Sequence, residues 1–393
     1  MYDYIIIGAG IAGLYSAYKL KQKNPNYKIL ILEREKAIGG RAGSDQFYGS
    51  TILSGAGVGR KSKDKRLLNL LKELQIPVHF YTSEIVSSGF KRIDILKAIE
   101  HLKIEYEKNP VHTTFKTFAI EKLGIKKYNK FVLSSGYSDY ENEDVKNTLY
   151  RYGMEDNAGN WKAFSVPWKK LTESLANQIG NDNIQTKQNV IKISRKGNCF
   201  FIKSKNMKSI KIFKSKKIII ASTVNTVRKL LNNRIYDYIQ SQPFVRIYGK
   251  FNRKSAQIIN KKLHTFTVVK GPLQKVIPMN KENGVYMIAY NDNKHSLAIQ
   301  SRLKNNLKNR NYFSQLLKKA LGIQGQISMS GMKVYNWKEG THYYKPLFPK
   351  YKSFESFIKR AQHPRENILV VGEMISTYQG WVEGALESVD KVL

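Results

Sequence analysis

The chain has 393 residues, 41% hydrophobic and 11% aromatic. That is too much apolar mass for a disordered chain and too long for a single core, since cores stop growing near about 250–300 residues. Two interleaved domains are expected. Against 30 Asp plus Glu stand 67 Lys plus Arg, a formal charge of +37. The basic residues are dispersed over KSKDKR (61–66), KSKNMKSIKIFKSKK (203–217) and RLKNNLKNR (302–310), a basic surface instead of a dedicated binding arm. Its field attracts nucleic acid or another polyanion nonspecifically, and plain compositional drift in a chain rich in Lys, Asn and Ile is the equal alternative.

The single cysteine, Cys199, excludes an internal disulfide and a cysteine metal cluster, and the seven His are scattered, so no metal site is expected. A cytoplasmic or other reducing compartment fits. Apolar runs such as YIIIGAGIAGL and KIIIA fall short of the roughly 18 residues of a membrane span. Asp3 and a glycine turn occupy the place of a leader's apolar stretch, so Met1 is read as the start of the fold.

In chain order, Tyr4 to Ile7 form a continuous apolar run, expected of a parallel strand buried on both faces. Gly8, Gly10 and Gly13 follow in the spacing G-x-G-x-x-G, with Ile11 and Ala12 opening an amphipathic helix, LYSAYKLKQ. Gly8 suits the tight turn, Gly10 the close approach to a pyrophosphate, and Gly13 the packing of helix on strand, while the helix N-terminus offers free N–H groups. Pro25 and Asn26 end the helix, and KILILE supplies a second strand. Glu33, twenty residues after Gly13, can accept hydrogen bonds from ribose hydroxyls and disfavours a 2′-phosphate. Arg34 follows it, and after REKAI come Gly39, Gly40 and Arg41, where two glycines permit close passage under a diphosphate and the arginine can hold phosphate or face a flavin.

The stretch GAGIAGL, LERE and GGR resembles the FAD-binding signature of the flavin-containing amine oxidase superfamily. That resemblance implies a Rossmann-like α/β FAD-binding domain with an inserted α+β substrate domain. It extends to WKAFSVPWKKLTESLANQIG and the strands after it, where Val190 of NVIKI matches the valine on the adenine side of FAD. It also places Lys250, in FVRIYGKF, where many members have a lysine bonded to a water near flavin N5. At the C-terminus, NILVVGEMISTYQGWVEGALES is similar to the segment that closes the flavin site, with Gly372, Glu373, Gly380, Trp381, Val382 and Ala385 as matching positions.

The resemblance further implies an aromatic cage, one wall from Trp381 and the other from NWKEGTHYYKPLFP, in which Trp337, Gly340, Tyr343 and Tyr344 match and one of the tyrosine pair is expected to face the flavin. Lys250, Trp381, Tyr343 and Tyr344 are thus the expected catalytic set. Members that attach FAD covalently here do so through a cysteine, which this segment lacks, so FAD is expected to be noncovalent, with His342 a remote alternative link.

The FAD domain is expected from residues 1–75, 155–245 and 330–393, and the substrate domain from 76–154, mostly helical, and 246–329. The implied reaction is oxidation of a primary or secondary amine by hydride transfer to the flavin, with O2 as acceptor and H2O2 as product. Because a +37 chain repels polycations, an amino acid or other anionic substrate held by an arginine such as Arg246 is the alternative. A catalytically weak, basic flavoprotein scaffold for a polyanion is a third reading, and an oligomer is compatible with all three.

Overall fold

The computed structural model describes residues 1–207 and 209–393. Its first sheet runs in the order Asn189–Lys196, Cys199–Lys205, Ile210–Ile220, Tyr2–Ile7, Ile29–Leu32, Ile184–Gln185, with Ile368–Val370 also pairing to Ile210–Ile220. Tyr2–Ile7 is parallel to both its neighbours. Its apolar run is buried on both faces, as the sequence predicts: Ile6, Ile29, Ile31 and Ile219 pack with the helices Ile11–Lys23, Trp168–Ile179 and Val382–Asp390. Ile5, Ile7, Leu30 and Ile220 pack on the opposite side with Val224–Leu231 and Phe354–Gln362. Alternate residues of one strand therefore serve two cores.

The turn after the first strand depends on two glycines. Gly8 has φ +105°, and a Cβ there would lie 2.4 Å from the Ala221 carbonyl oxygen. A Cβ at Gly13 would lie 1.9 Å from the Gly8 carbonyl oxygen, so the helix can sit this close to the strand only without a side chain at that point.

The second sheet runs Met329–Tyr344, Ile239–Phe251, Val285–Asp292, Lys275–Asn280, Phe266–Val269, Ile85–Ser88. Beside it the helices Ile95–Lys108, Phe115–Ser135 and Val145–Arg151 share a core of Leu102, Phe115, Phe118 and Phe131. Each begins at a side-chain cap, Asp94, Thr114 and Asp144 accepting from the N–H three residues on. The expected domain boundary at 245/246 falls inside the strand Ile239–Phe251, and the one at 329/330 falls one residue into Met329–Tyr344. These strands pair from Ile239–Tyr344 to Phe251–Met329. Ile239 and Tyr344 lie in the core of the first sheet, Val245 and Met329 in that of the second. A hydrogen-bonded ladder of this length ties the two cores together, so the break falls within no single loop.

Candidate active site

A cavity of about 720 Å3 opens at the N-terminal end of Ile11–Lys23. It is lined by Gly8, Gly10, Ile11, Ala12, Glu33, Arg34, Gly40 and Arg41 from the N-terminal unit, by Val190, and by Gly372, Glu373, Gly380, Trp381, Val382 and Ala385. Of the expected cofactor residues only Gly13 is absent from its lining, because it packs against the strand turn. The helix has no acidic residue in its first turn and no side-chain cap at Gly10, which leaves its first N–H groups for an anion. A Cβ at Gly10 would meet nothing within 4 Å, so a side chain there would fill the cradle. Glu33 clamps the rim: Oε2 accepts the Ala9 N–H at 2.7 Å and Oε1 the Glu35 N–H at 2.8 Å. A carboxylate has about four lone-pair sites, so capacity for ribose hydroxyls remains. These residues fit a dinucleotide.

Arg41 joins the two ends of the chain. Its Nη1 donates to the Gly340 carbonyl and to Glu373 Oε1, both at 2.7 Å, and the Gly380 N–H donates to Glu373 Oε2 at 2.9 Å. The guanidinium expected to hold phosphate or face the flavin is thus tied by this nitrogen to protein groups. His342 Nδ1 meets Glu373 Oε1 at 2.5 Å, and Nε2 accepts the Val224 N–H at 3.3 Å, which puts the ring proton on Nδ1. Burial pushes the Glu373 carboxyl up, but His342, Arg41 and the Gly380 N–H hold it well below the usual carboxylate range.

A second cavity, of about 970 Å3, adjoins the first. Tyr137, Asp139, Tyr290, Thr341, Gly380 and Trp381 line both. Trp381 stands edge-on to Trp168 with ring centroids 6.1 Å apart, and Tyr343 lines the larger cavity. Tyr344 does not reach either cavity. Its ring is buried against Phe357 and its hydroxyl donates to the Ser376 carbonyl at 2.9 Å. Successive strand residues face opposite sides, so only one tyrosine of the pair can point into the site. Trp337 lines the smaller cavity and donates from Nε1 to the Ser54 carbonyl at 2.7 Å.

Lys250 lines neither cavity. Its ammonium donates to the Asn283 carbonyl and lies 5.8 Å from the Tyr48 ring centroid. It shares a strand face with Arg246 but sits roughly 13 Å further along, at about 3.3 Å per residue, and Arg246 is the residue that lines the cavity.

Sequence reasoning missed a buried charged cluster at the junction. Lys275, fully buried, donates to the Gly136 carbonyl at 2.6 Å, lies 3.5 Å from Asp292 Oδ2, and sits 3.4 Å over the Tyr137 ring. Asp139 accepts from the Tyr152 hydroxyl at 2.5 Å. Burial and the neighbouring Asp292 push the Asp139 carboxyl up, against the Tyr152 hydrogen bond and Lys275. Burial pushes Lys275 down, against Asp292 and Asp139. One signal was present: in this basic chain, Asp139 to Asp144 hold four acids in six residues.

Residues 128–389 match the family model of flavin-containing amine oxidoreductases. This chain belongs to that family. Residues 6–74 match an NAD(P)-binding Rossmann-like domain. A redesigned putrescine oxidase superposes with a TM-score of 0.78 at 13% identity, covering 99% of this chain and 97% of that one. Cyclohexylamine oxidase from Brevibacterium oxydans superposes with a TM-score of 0.75 at 15% identity and the same coverage. At these identities the likeness is one of fold. An uncharacterised protein of Acanthamoeba polyphaga mimivirus is 36% identical over 76 residues, 19% of this chain and 15% of that protein's length. Membership brings a flavin cofactor and oxidoreductase chemistry. Among the described residues no helix is long and apolar enough to cross a membrane, and no group of three or more His, Cys, Asp or Glu is placed to hold a metal.

Proposed function

We propose that this chain is an amine oxidase that holds FAD noncovalently in the smaller cavity and oxidises a small amine in the larger one, with O2 as final acceptor. The observation that carries this reading is the shared wall of Tyr137, Asp139, Tyr290, Thr341, Gly380 and Trp381, across which a donor and a dinucleotide can meet. Bound FAD supplies the two-electron acceptor.

The chain supplies the rest. The N–H groups after Gly10 hold the pyrophosphate, Glu33 the ribose, and Val190 the adenine side. Trp381 and Tyr343 exclude water and hold the amine by their ring faces, while Tyr290, whose ring already lies beside Arg246 and Lys275, lines the wall. Asp139 takes the proton that an ammonium must lose before its carbon can give up electrons. Overall the amine loses two electrons and two protons, and its C–N bond becomes C=N. Water then releases a carbonyl compound and ammonia, or the smaller amine from a secondary one, while O2 gains both electrons and both protons as H2O2. Noncovalent attachment is supported by His342, whose two ring nitrogens are both bonded, and by Cys199, whose thiol lies against Met1 and the Phe200 carbonyl.

The test is turnover in air by the purified yellow protein. One H2O2 per amine or amino acid consumed is expected, with FAD released intact on denaturation. A flavin-loaded protein that forms no H2O2 with any amine or amino acid defeats the reading.

A further inference from the structure

We infer that the substrate carries an anionic group, a carboxylate, and that Arg246 is its anchor. The inference rests on the amine-oxidase reading of the same cavity and specifies its substrate class.

Arg246 lies in the strand Ile239–Phe251, paired on one side with Tyr290 and on the other with Tyr335, so its backbone is held by two ladders. Its side chain lines the larger cavity and is only 2% exposed. The guanidinium carbon lies 4.4 Å from the Tyr290 ring centroid, and a Cβ at Gly57 would stand 3.7 Å from Nη2. Nε and Nη1 are buried with no hydrogen-bond partner, and the groups that support the charge are the hydroxyls of Tyr248 and Tyr290, with no carboxylate among them.

The two acids nearby are engaged elsewhere. Asp292 receives Ser138 and Lys275, and Asp139 receives Tyr152. Stacking on Tyr290 offsets only part of the cost of burying this charge, and a buried guanidinium without an anion is strongly disfavoured. Its free Nε and Nη1 present the donors that hold a carboxylate. A plain alkylammonium would instead meet a buried cation, Arg246. A donor with its carboxylate on Arg246 can direct its amine to Asp139, which lines both cavities. The ligand chemistry is therefore that of an amino acid.

The experiment uses the flavin-loaded protein, Arg246→Met and Arg246→Lys, with two readouts. Calorimetric titration with benzoate reads the anchor without turnover. Arg246→Met should weaken benzoate by about 10- to 150-fold, the range of one hydrogen-bonded charge contact, with flavin content retained and Arg246→Lys intermediate. Anaerobic flavin reduction by L-phenylalanine and by phenethylamine reads the substrate class. The ratio of their efficiencies should favour phenylalanine in the parent protein and fall by a similar factor in Arg246→Met. Benzoate that does not bind the parent, equal benzoate affinity in Arg246→Met, an unchanged ratio, or loss of flavin from Arg246→Met each overturns the assignment. If neither donor reduces the parent flavin, the oxidase reading fails for these donors, while the benzoate titration still decides the anchor.

Discussion

In the smaller cavity, Gly8, Gly10, Ile11, Ala12 and Glu33 come from one stretch of 33 residues, placed by a strand, a turn, a helix and a second strand. The larger cavity takes Asp139 from beyond a helix, Arg246 and Tyr290 from two paired strands, and Trp381 from the C-terminus. Backbone geometry makes this N-terminal part of the first, so local spacing is enough to write that part, and Val190 and the C-terminal segment complete it. Side chains drawn from a span of more than two hundred residues make the second, and it exists only when two sheets and a helical unit are in register. A cofactor shared by many chemistries suits the first construction, and substrate choice suits the second.

The largest effect is expected where the two ends of the chain are pinned together at the smaller cavity. Glu373→Gln leaves Arg41 without its buried anion and should cost about 3–5 kcal/mol, the scale of a broken buried ion pair, read as a lowered denaturation midpoint. Because the Glu373 carboxyl is held below its ordinary value in the fold, its stabilisation is full above the unfolded value and is lost as pH falls through the folded one. Glu373→Gln should therefore flatten the acid arm of a stability-versus-pH curve. An unchanged midpoint would show that the two chain ends are not held together by this pair.

Next comes the charged junction. Asp139, beside Asp292, Lys275 and Tyr152, titrates near an upward-shifted value of about 7. It is neutral below that pH and able to accept a proton above it. Flavin reduction by an amine should rise with pH through this range. Asp139→Asn should lose that step and slow reduction about 100-fold at neutral pH, with flavin content unchanged, as measured by anaerobic stopped-flow. Gly10→Val tests the locally written half alone. Its side chain enters open space but replaces the N-cap glycine, so the apoprotein's stability should fall by no more than about 1 kcal/mol, while flavin content falls sharply on purification. The smallest effect belongs to Lys250→Met, for which both half-reactions should keep the parent rates.

The ease of reading the sequence follows the same division. Gly8, Gly13, Glu33 and Gly40 were legible because their spacing fixes the backbone, and Trp381 because its motif resembles a known one. Tyr343 and Tyr344 were half legible: the two-residue period says that one faces inward, but not which. Lys250 was misplaced because a strand with cations at 246 and 250 does not announce which of them stands over a cavity. Only the pairing of Arg246 with Tyr290 and Tyr335 decides it. Lys275, Asp292 and Asp139 were missed because Lys275 meets Gly136, and Asp292 meets Ser138, across separations of 139 and 154 residues, which no local pattern encodes.

That the two constructions share one working wall is tested most directly by mixing the yellow protein anaerobically with a single equivalent of an amino acid or amine. Loss of the oxidised flavin band with one donor consumed per flavin, and its full return on admitting O2, is the predicted result. A band that stays oxidised with every donor, in protein that retains its flavin, would contradict it.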